Sequence, residues 1–160
     1  METALKEFKS QNGIQKHLQC FSIIWKLLLN IHKNPNEPKY KCVKKTNPTI
    51  KTEILDNPGG VNLLLACGFA NNDMTYIFHH EDFLPQYIET IEYEKEIAQI
   101  QTLPPEEREK KLLILTEQHI LKMQKEKAEL EKKIMVEKMK HDSEETGPPK
   151  LKFIVPQPRK

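Results

Sequence analysis

Three kinds of side chain in this sequence have chemistry to weigh: thiols, imidazoles and a crowd of ammonium groups. Cysteines stand at Cys20, Cys42 and Cys67. A catalytic thiol needs a base beside it and a third group to orient that base. Cys20 and Cys67 fall within apolar helical patterns and Cys42 in an alternating segment, and no catalytic signature surrounds any of them. Their number is odd and no Cys-x-x-Cys pair occurs, so they read as three reduced thiols and not as a disulfide framework. His79-His80-Glu81-Asp82 has metal-ligand residue types. Adjacent histidines on an extended chain point to opposite sides, however, and no further ligand stands at a zinc spacing. The segment reads as a loop; neither a metal nor another cofactor is expected, nor an enzyme. The lysines are more suggestive. Lys39, Lys41, Lys44, Lys45 and Lys51 crowd thirteen residues opposed only by Glu53. Such a patch suits an acidic peptide through charge steering, with an affinity that falls as salt rises. An ordinary solvated face has the same composition.

These residues lie between elements that must position them. Ile14 to Lys33 predicts a strong helix: Leu18, Phe21, Ile24, Trp25, Leu28 and Ile31 recur at three- and four-residue spacing. Before it, Thr3 to Lys9 predicts a short polar helix broken at Asn12-Gly13. Asn34-Pro35-Asn36 stops the long helix, because the residue before proline is pushed out of the helical region. Tyr40 to Lys45 alternates and predicts a short strand. Asn47-Pro48 and Asn57-Pro58 each predict a helix start, asparagine capping free amides and proline fitting the first helical position. The first of these helices runs to about Leu55, with Ile50 and Ile54 on one face. The second runs to Cys67 with Val61, Leu64 and Leu65 inward, and Gly68 suits the left-handed position beyond its end. Asn71-Asn72-Asp73 reads as a turn and Met74 to Phe78 as a strand. Pro85 to Gln101 predicts an amphipathic helix with Tyr87, Ile88, Ile91 and Ile97 toward the core.

Leu103-Pro104-Pro105 marks a boundary. Glu106 to about Lys140 is rich in glutamate and lysine and free of glycine and proline, and it predicts one long helix with favourable pairs at Glu106–Lys110, Glu107–Lys111 and Glu129–Lys133. With Leu113 at heptad position a, the a/d series is Leu113, Thr116, Ile120, Met123, Lys127, Leu130, Ile134 and Glu137. That is an imperfect coiled-coil seam; a lone solvated helix docked on one partner fits the same pattern. Gly147-Pro148-Pro149 ends the helix, and the tail LKFIVPQPRK is too short to form a core, leaving a docking peptide or a flexible end.

Of the 160 residues, 38% are apolar and 30% charged, which suggests one compact domain with solvated additions. The formal net charge of +2 is below that of a dedicated nucleic-acid binder, and the aromatic platform for single strands is missing, so nucleic acid is not an expected partner. The first residues lack an apolar signal core, and the run from Phe21 to Leu29, interrupted by Lys26, is too short to span a bilayer. The expectation is a protein of the cytoplasm or nucleus, with cytoskeletal or ciliary association open.

The spacing across residues 30–69 supports a resemblance. NIHKNPN-x-x-KY, then Asn47 seven residues after Tyr40, then a helix closing on Cys67-Gly68-Phe69, resembles the PUB (PUG) domain found in peptide:N-glycanase and in certain ubiquitin-pathway cofactors. The strand MTYIF and the helix after it fit as well, so the likeness covers roughly residues 14–100. It implies an α+β fold in which helices pack around a small antiparallel sheet. With the segments above, this gives a PUB-like body over 1–103, a charged helix over 104–141 and a Pro-rich tail over 142–160. It also implies capture of the acidic, aromatic-containing C-terminal tail of the valosin-containing AAA ATPase. Carried over by position, Asn30 would hydrogen-bond the peptide, Lys39 would supply charge, Tyr40 would wall in the aromatic ring, and Asn47 would bond the peptide backbone. Ile50 stands where glycanase-type domains have phenylalanine, and Pro48 removes a backbone donor beside Asn47. On residue type alone, Asn47 is a helix cap, Asn30 a polar boundary position and Tyr40 a core residue with a surface hydroxyl. The thiol-dependent catalytic domain that accompanies this module in peptide:N-glycanase is absent here, and its chemistry is not inherited. Two functions follow. One is a non-enzymatic adaptor that holds an acidic peptide and engages a second protein through the 106–140 helix. The other is a structural subunit of a larger assembly that uses the body and helix as packing elements.

Overall fold

The computed structural model of the protein describes residues 1–145, with side chains to residue 139. Helix α1 (Glu2–Gln11) is polar by composition, yet Leu5 and Phe8, three residues apart, turn into the core. Asn12 ends it, its amide donating to the carbonyls of Phe8 and Pro58 at 2.8 Å each. Helix α2 (Ile14–Lys33) buries His17, Cys20, Phe21, Ile24, Leu28 and Ile31, the stripe that its periodicity predicts. Asn34 closes it, with backbone N–H and side-chain amide both donating to the Asn30 carbonyl, at 3.1 and 3.0 Å. Helix α6 (Leu84–Gln101) packs along α2 more extensively than any other pair of elements. It contributes buried Leu84, Ile91 and Ala98, with Tyr87 and Ile88 partly buried beside them. Lys95 of α6 lies over the Trp25 ring of α2, 3.7 Å from its centroid, a cation–π contact across the same seam.

The chain between these helices departs from its expected course at its shortest elements. Tyr40 and Lys41 belong to a helical turn, α3 (Pro38–Lys41), and the strand β1 is confined to Cys42–Lys44. Pro38 sits at the start of the turn and the Tyr40 N–H donates to the Glu37 carbonyl at 3.1 Å, so a local bond wins over strand pairing. Within β1, Val43 is buried while Cys42 and Lys44 face outward. Asn47 does cap α4 (Pro48–Ile50), which passes into a π-helical turn over Lys51–Leu55, where the Asp56 N–H reaches the Lys51 carbonyl at 2.8 Å. Asn57 does not cap the next helix. Its amide turns back onto the carbonyls of Glu53 (2.7 Å) and Thr52 (3.4 Å), closing the turn before it. The cap of α5 (Gly60–Ala66) is Gly59, in a left-handed conformation at φ 74°. Leu63 and Leu64 are the buried leucines of α5, and Leu65 faces outward. Gly60 lies against the π turn so closely that a Cβ there would sit 2.0 Å from the Ile54 carbonyl oxygen.

Gly68 adopts φ 90° past the end of α5, as expected of a left-handed terminus. It leads into a strand that periodicity does not announce, β2 (Phe69–Asn71), and a turn at Asn72 leads to β3 (Thr75–Phe78), which begins one residue after exposed Met74. The sheet is antiparallel in the order β1-β3-β2, with Val43 opposite Tyr76 and Phe69 opposite Phe78. Phe69 and Phe78 meet edge to face at 5.3 Å. Helices around a small antiparallel sheet make this an α+β fold. Glu81–Phe83 forms a 3₁₀ turn where a loop was expected.

Helix α7 (Pro105–Glu145) opens on proline, and its described length passes Lys140 to reach Glu145. Of its expected pairs, Glu107–Lys111 stands at 3.7 Å. The chain divides into two compact units, Met1–Leu112 and Leu113 onward. The Gly147-Pro148-Pro149 stop and the tail lie outside the described residues.

Candidate functional site

A concavity of about 260 Å³ opens on the first unit where the end of α2, the α3 turn, β1 and the start of α4 converge. Asn30, Lys39, Tyr40, Asn47 and Ile50 all line it, joined by Leu27, Cys42, Val43 and Lys44. Its floor is apolar, with Val43 and Ile50 buried and Leu27 partly so. Tyr40, also partly buried, stands at its side, and Asn30, Lys39, Lys44 and Asn47 are exposed around it.

Local folding explains each placement. Asn30 is in the last turn of α2; its carbonyl is taken by Asn34, while its side-chain amide has no partner among the described residues. The Asn47 Oδ1 accepts from the amides of Thr49 (3.0 Å) and Ile50 (3.3 Å). That leaves both of its Nδ2 hydrogens for a ligand, so the cap and a binding role use different atoms. Pro48 occupies the first helical position, where a missing N–H costs little. Ile50 faces inward from the α4 turn that Asn47 holds in place.

The lysine cluster divides. Lys39 lies over the Tyr40 ring, 5.0 Å from its centroid, and 3.2 Å from the Glu37 carboxylate. Lys44 also lines the concavity. Lys41 instead pairs with Glu81 at 2.5 Å, and Lys45 donates to the Asp73 carbonyl at 3.0 Å from a position over the Tyr76 ring. Glu53, the one acid in the stretch, faces Lys16 of α2 at 3.6 Å. The expectation of five lysines opposed only by Glu53 is therefore corrected. Glu81, distant in sequence, neutralises Lys41, the backbone carbonyl of Asp73 holds Lys45, and Lys39, beside Glu37, and Lys44 remain at the concavity. Leu27 and Val43 complete the floor. The signal for Leu27 was its place one turn before Asn30, off the main apolar stripe of α2.

The titratable groups with shifted pKa values lie away from this concavity. Burial pushes the Cys20 thiol up to about 12, with nearby Glu53 adding to the effect. Burial raises Cys67 also. Both are held as neutral thiols with little nucleophilic character. His17, packed between the rings of Phe8 and Phe21 at 5.7 and 6.0 Å, has its pKa lowered by burial. His80 contacts the Tyr87 hydroxyl at 3.1 Å through Nδ1. Among the described residues, no group of three or more His, Cys, Asp or Glu side chains is placed to hold a metal ion, and no helix is long and apolar enough to cross a membrane.

A family model for the PUB domain matches residues 14–128, more than half of the chain. The chain belongs to the PUB domain family. The match begins with α2 and passes beyond Leu103 into α7, further than the resemblance read from spacing. A PUB domain is a protein-interaction module and not a catalytic one. In this PUB domain, the described concavity has an apolar floor, an aromatic side, and exposed amide and ammonium donors around it.

Proposed function

We propose that this protein is a non-enzymatic adaptor whose concavity captures an acidic, aromatic-containing C-terminal peptide. The tail of the valosin-containing AAA ATPase is the ligand we favour, and α7 provides contact to a second protein. One observation carries the reading: the five residues singled out for peptide capture, from three separate elements and a cap, line a single concavity. Its chemistry is complementary to such a ligand. The Asn30 and Asn47 amides are donors for peptide carbonyls or carboxylates. Lys39 and Lys44 bring positive charge, and Tyr40 offers a ring face beside an apolar floor. Ile50 keeps that floor apolar but gives up an aromatic contact, worth roughly 0.5–1.5 kcal/mol at a well-packed pair. Micromolar affinity is therefore the expectation.

Titration of a labelled ATPase-tail peptide into the full chain tests this. Saturable binding that is lost in Tyr40→Ala and in Asn30→Ala supports the adaptor. No binding at millimolar peptide, with the protein shown to be folded, overturns it and favours a purely structural role. A neutral peptide of the same length separates capture of acidic tails from general stickiness.

A further inference from the structure

We propose that the apolar seam of α7 is a self-association surface, covered by the same seam of a second copy of this chain running antiparallel. Ile120, Met123, Leu130 and Ile134 fall on one heptad seam, interrupted once by Lys127 between Met123 and Leu130, and are between 44% and 58% exposed. Ile120, Met123 and Leu130 line one groove along the helix together with Lys127. Exposed apolar residues in register along a helix mark a contact surface.

The flanking charges identify both the occupant and its direction. With Leu113 at heptad position a, the e positions hold Glu117, Gln124, Glu131 and Lys138, and the g positions hold His119, Glu126 and Lys133. In a parallel pair, a g residue faces the e residue five places further along the other helix. That sets Glu126 against Glu131 and Lys133 against Lys138, each contact formed twice by symmetry and each between like charges. In an antiparallel pair g faces g and e faces e. With Lys127 opposite Leu130 at the centre and Met123 opposite Ile134 on either side, Glu126 faces Lys133 and Glu117 faces Lys138. Every one of these contacts joins opposite charges, and each again forms twice. The same side chains that oppose a parallel dimer favour the antiparallel one, which is how charge pattern selects orientation. Lys127 fits an a position by laying its aliphatic stem along Leu130 and reaching outward with its ammonium group. A polar residue there specifies register at a cost in stability, so the pair is a concentration-dependent one.

In this register, residue i lies beside residue 257 − i of the second copy. The two Leu113 residues then stand about 46 Å apart along the pair, at ~1.5 Å rise per residue. The two PUB bodies enter from opposite ends, which makes a bivalent adaptor suited to a ligand with several identical tails. Self-association itself does not depend on the peptide reading.

Sedimentation velocity on the full chain, up to hundreds of micromolar, is the first measurement. A reversible dimer is expected. Its dissociation constant weakens roughly tenfold in Glu126→Lys and in Lys133→Glu, and recovers in the double variant, since two attractive contacts become repulsive in each single change. A parallel pair responds oppositely, because either single change relieves a like-charge contact. Spin labels on Leu113→Cys in a Cys42→Ser background give the direction: a separation near that of the antiparallel register supports the proposal. Circular dichroism checks that the helix is intact in each variant. A chain that stays monomeric, a dimer tightened by Glu126→Lys, or labels within contact range of each other would overturn it.

Discussion

Tyr40→Ala is the perturbation that examines the proposed site most directly. The ring packs partly against the core and partly lines the concavity. An enclosed aromatic side chain buries about 150–250 Å². Since Tyr40 is already partly covered by its own neighbours, on the order of 50–60 Å² of ring remains for a ligand to cover, worth about 1.3–1.5 kcal/mol at ~25 cal/mol per Å². Loss of ring pairing with an aromatic ligand residue adds roughly 0.5–1.5 kcal/mol. Together these give roughly 2–3 kcal/mol, a 30- to 150-fold weaker Kd. Lys39, 5.0 Å over the same ring, also loses its platform, so the variant's affinity becomes less sensitive to salt. Fluorescence anisotropy of a labelled ATPase-tail peptide reads the affinity, and the emission of Trp25, the single tryptophan, reports whether the body is folded. Tyr40→Phe is the companion variant. The hydroxyl has no partner among the described residues, so phenylalanine keeps affinity within about threefold. The reasoning fails if folded Tyr40→Ala binds within about twofold of the unaltered protein, because the ring would then contribute nothing to capture.

Asn47 separates two roles by atom: Asn47→Ala loses the cap and about 1 kcal/mol of stability, whereas Asn47→Ser keeps a capping oxygen and stability but lacks the amide donors. Urea titration and peptide affinity measured on both variants check this, and equal destabilisation by the two would refute the capping assignment. The His17 pKa is lowered by burial, so the unfolded chain holds more protons than the folded one just below the ordinary histidine value. The stability linked to His17 is therefore complete above that value and is lost as pH falls through it toward the folded pKa. Thermal melts across this range should show the loss, and His17→Phe should diminish it; a variant with an unchanged pH profile would exclude His17 as the source. Cys42 is exposed while Cys20 and Cys67 are buried, so a thiol reagent should modify one cysteine promptly in the native protein and none in Cys42→Ser, with prompt labelling of a second site contradicting the burial of Cys20 and Cys67 in the core.

Long elements were legible because repetition averages out local accidents. Twenty residues of α2 carry several turns of apolar spacing, and no competing bond in them offsets the burial of that face. Short elements have no such redundancy. Tyr40 and Lys41 alternate with their neighbours as a strand does, yet a proline two residues earlier and one bond to Glu37 make them a helical turn. Asn57-Pro58 has the same residue types as Asn47-Pro48, but the Asn57 amide finds the open carbonyls of Thr52 and Glu53 behind it and closes a turn there. In a seven-residue helix, a shift of one position exchanges Leu65 for Leu63 at the core.

The concavity posed a different problem, since Asn30, Lys39, Tyr40, Asn47 and Ile50 lie on elements whose mutual approach no periodicity encodes. Family spacing suggested that they belong together, and residue type suggested what each offers. Neither disclosed which lysines would be spent elsewhere. The Glu81 carboxylate is forty residues from Lys41 and the Asp73 backbone carbonyl twenty-eight from Lys45, and the β1–β3 pairing runs between the segments that carry these partners. A field at a binding site is set by charges adjacent in space. Counting lysines along the chain therefore overstated the attraction, and in the proposed capture the charge offered to an acidic peptide comes from Lys39 and Lys44 alone.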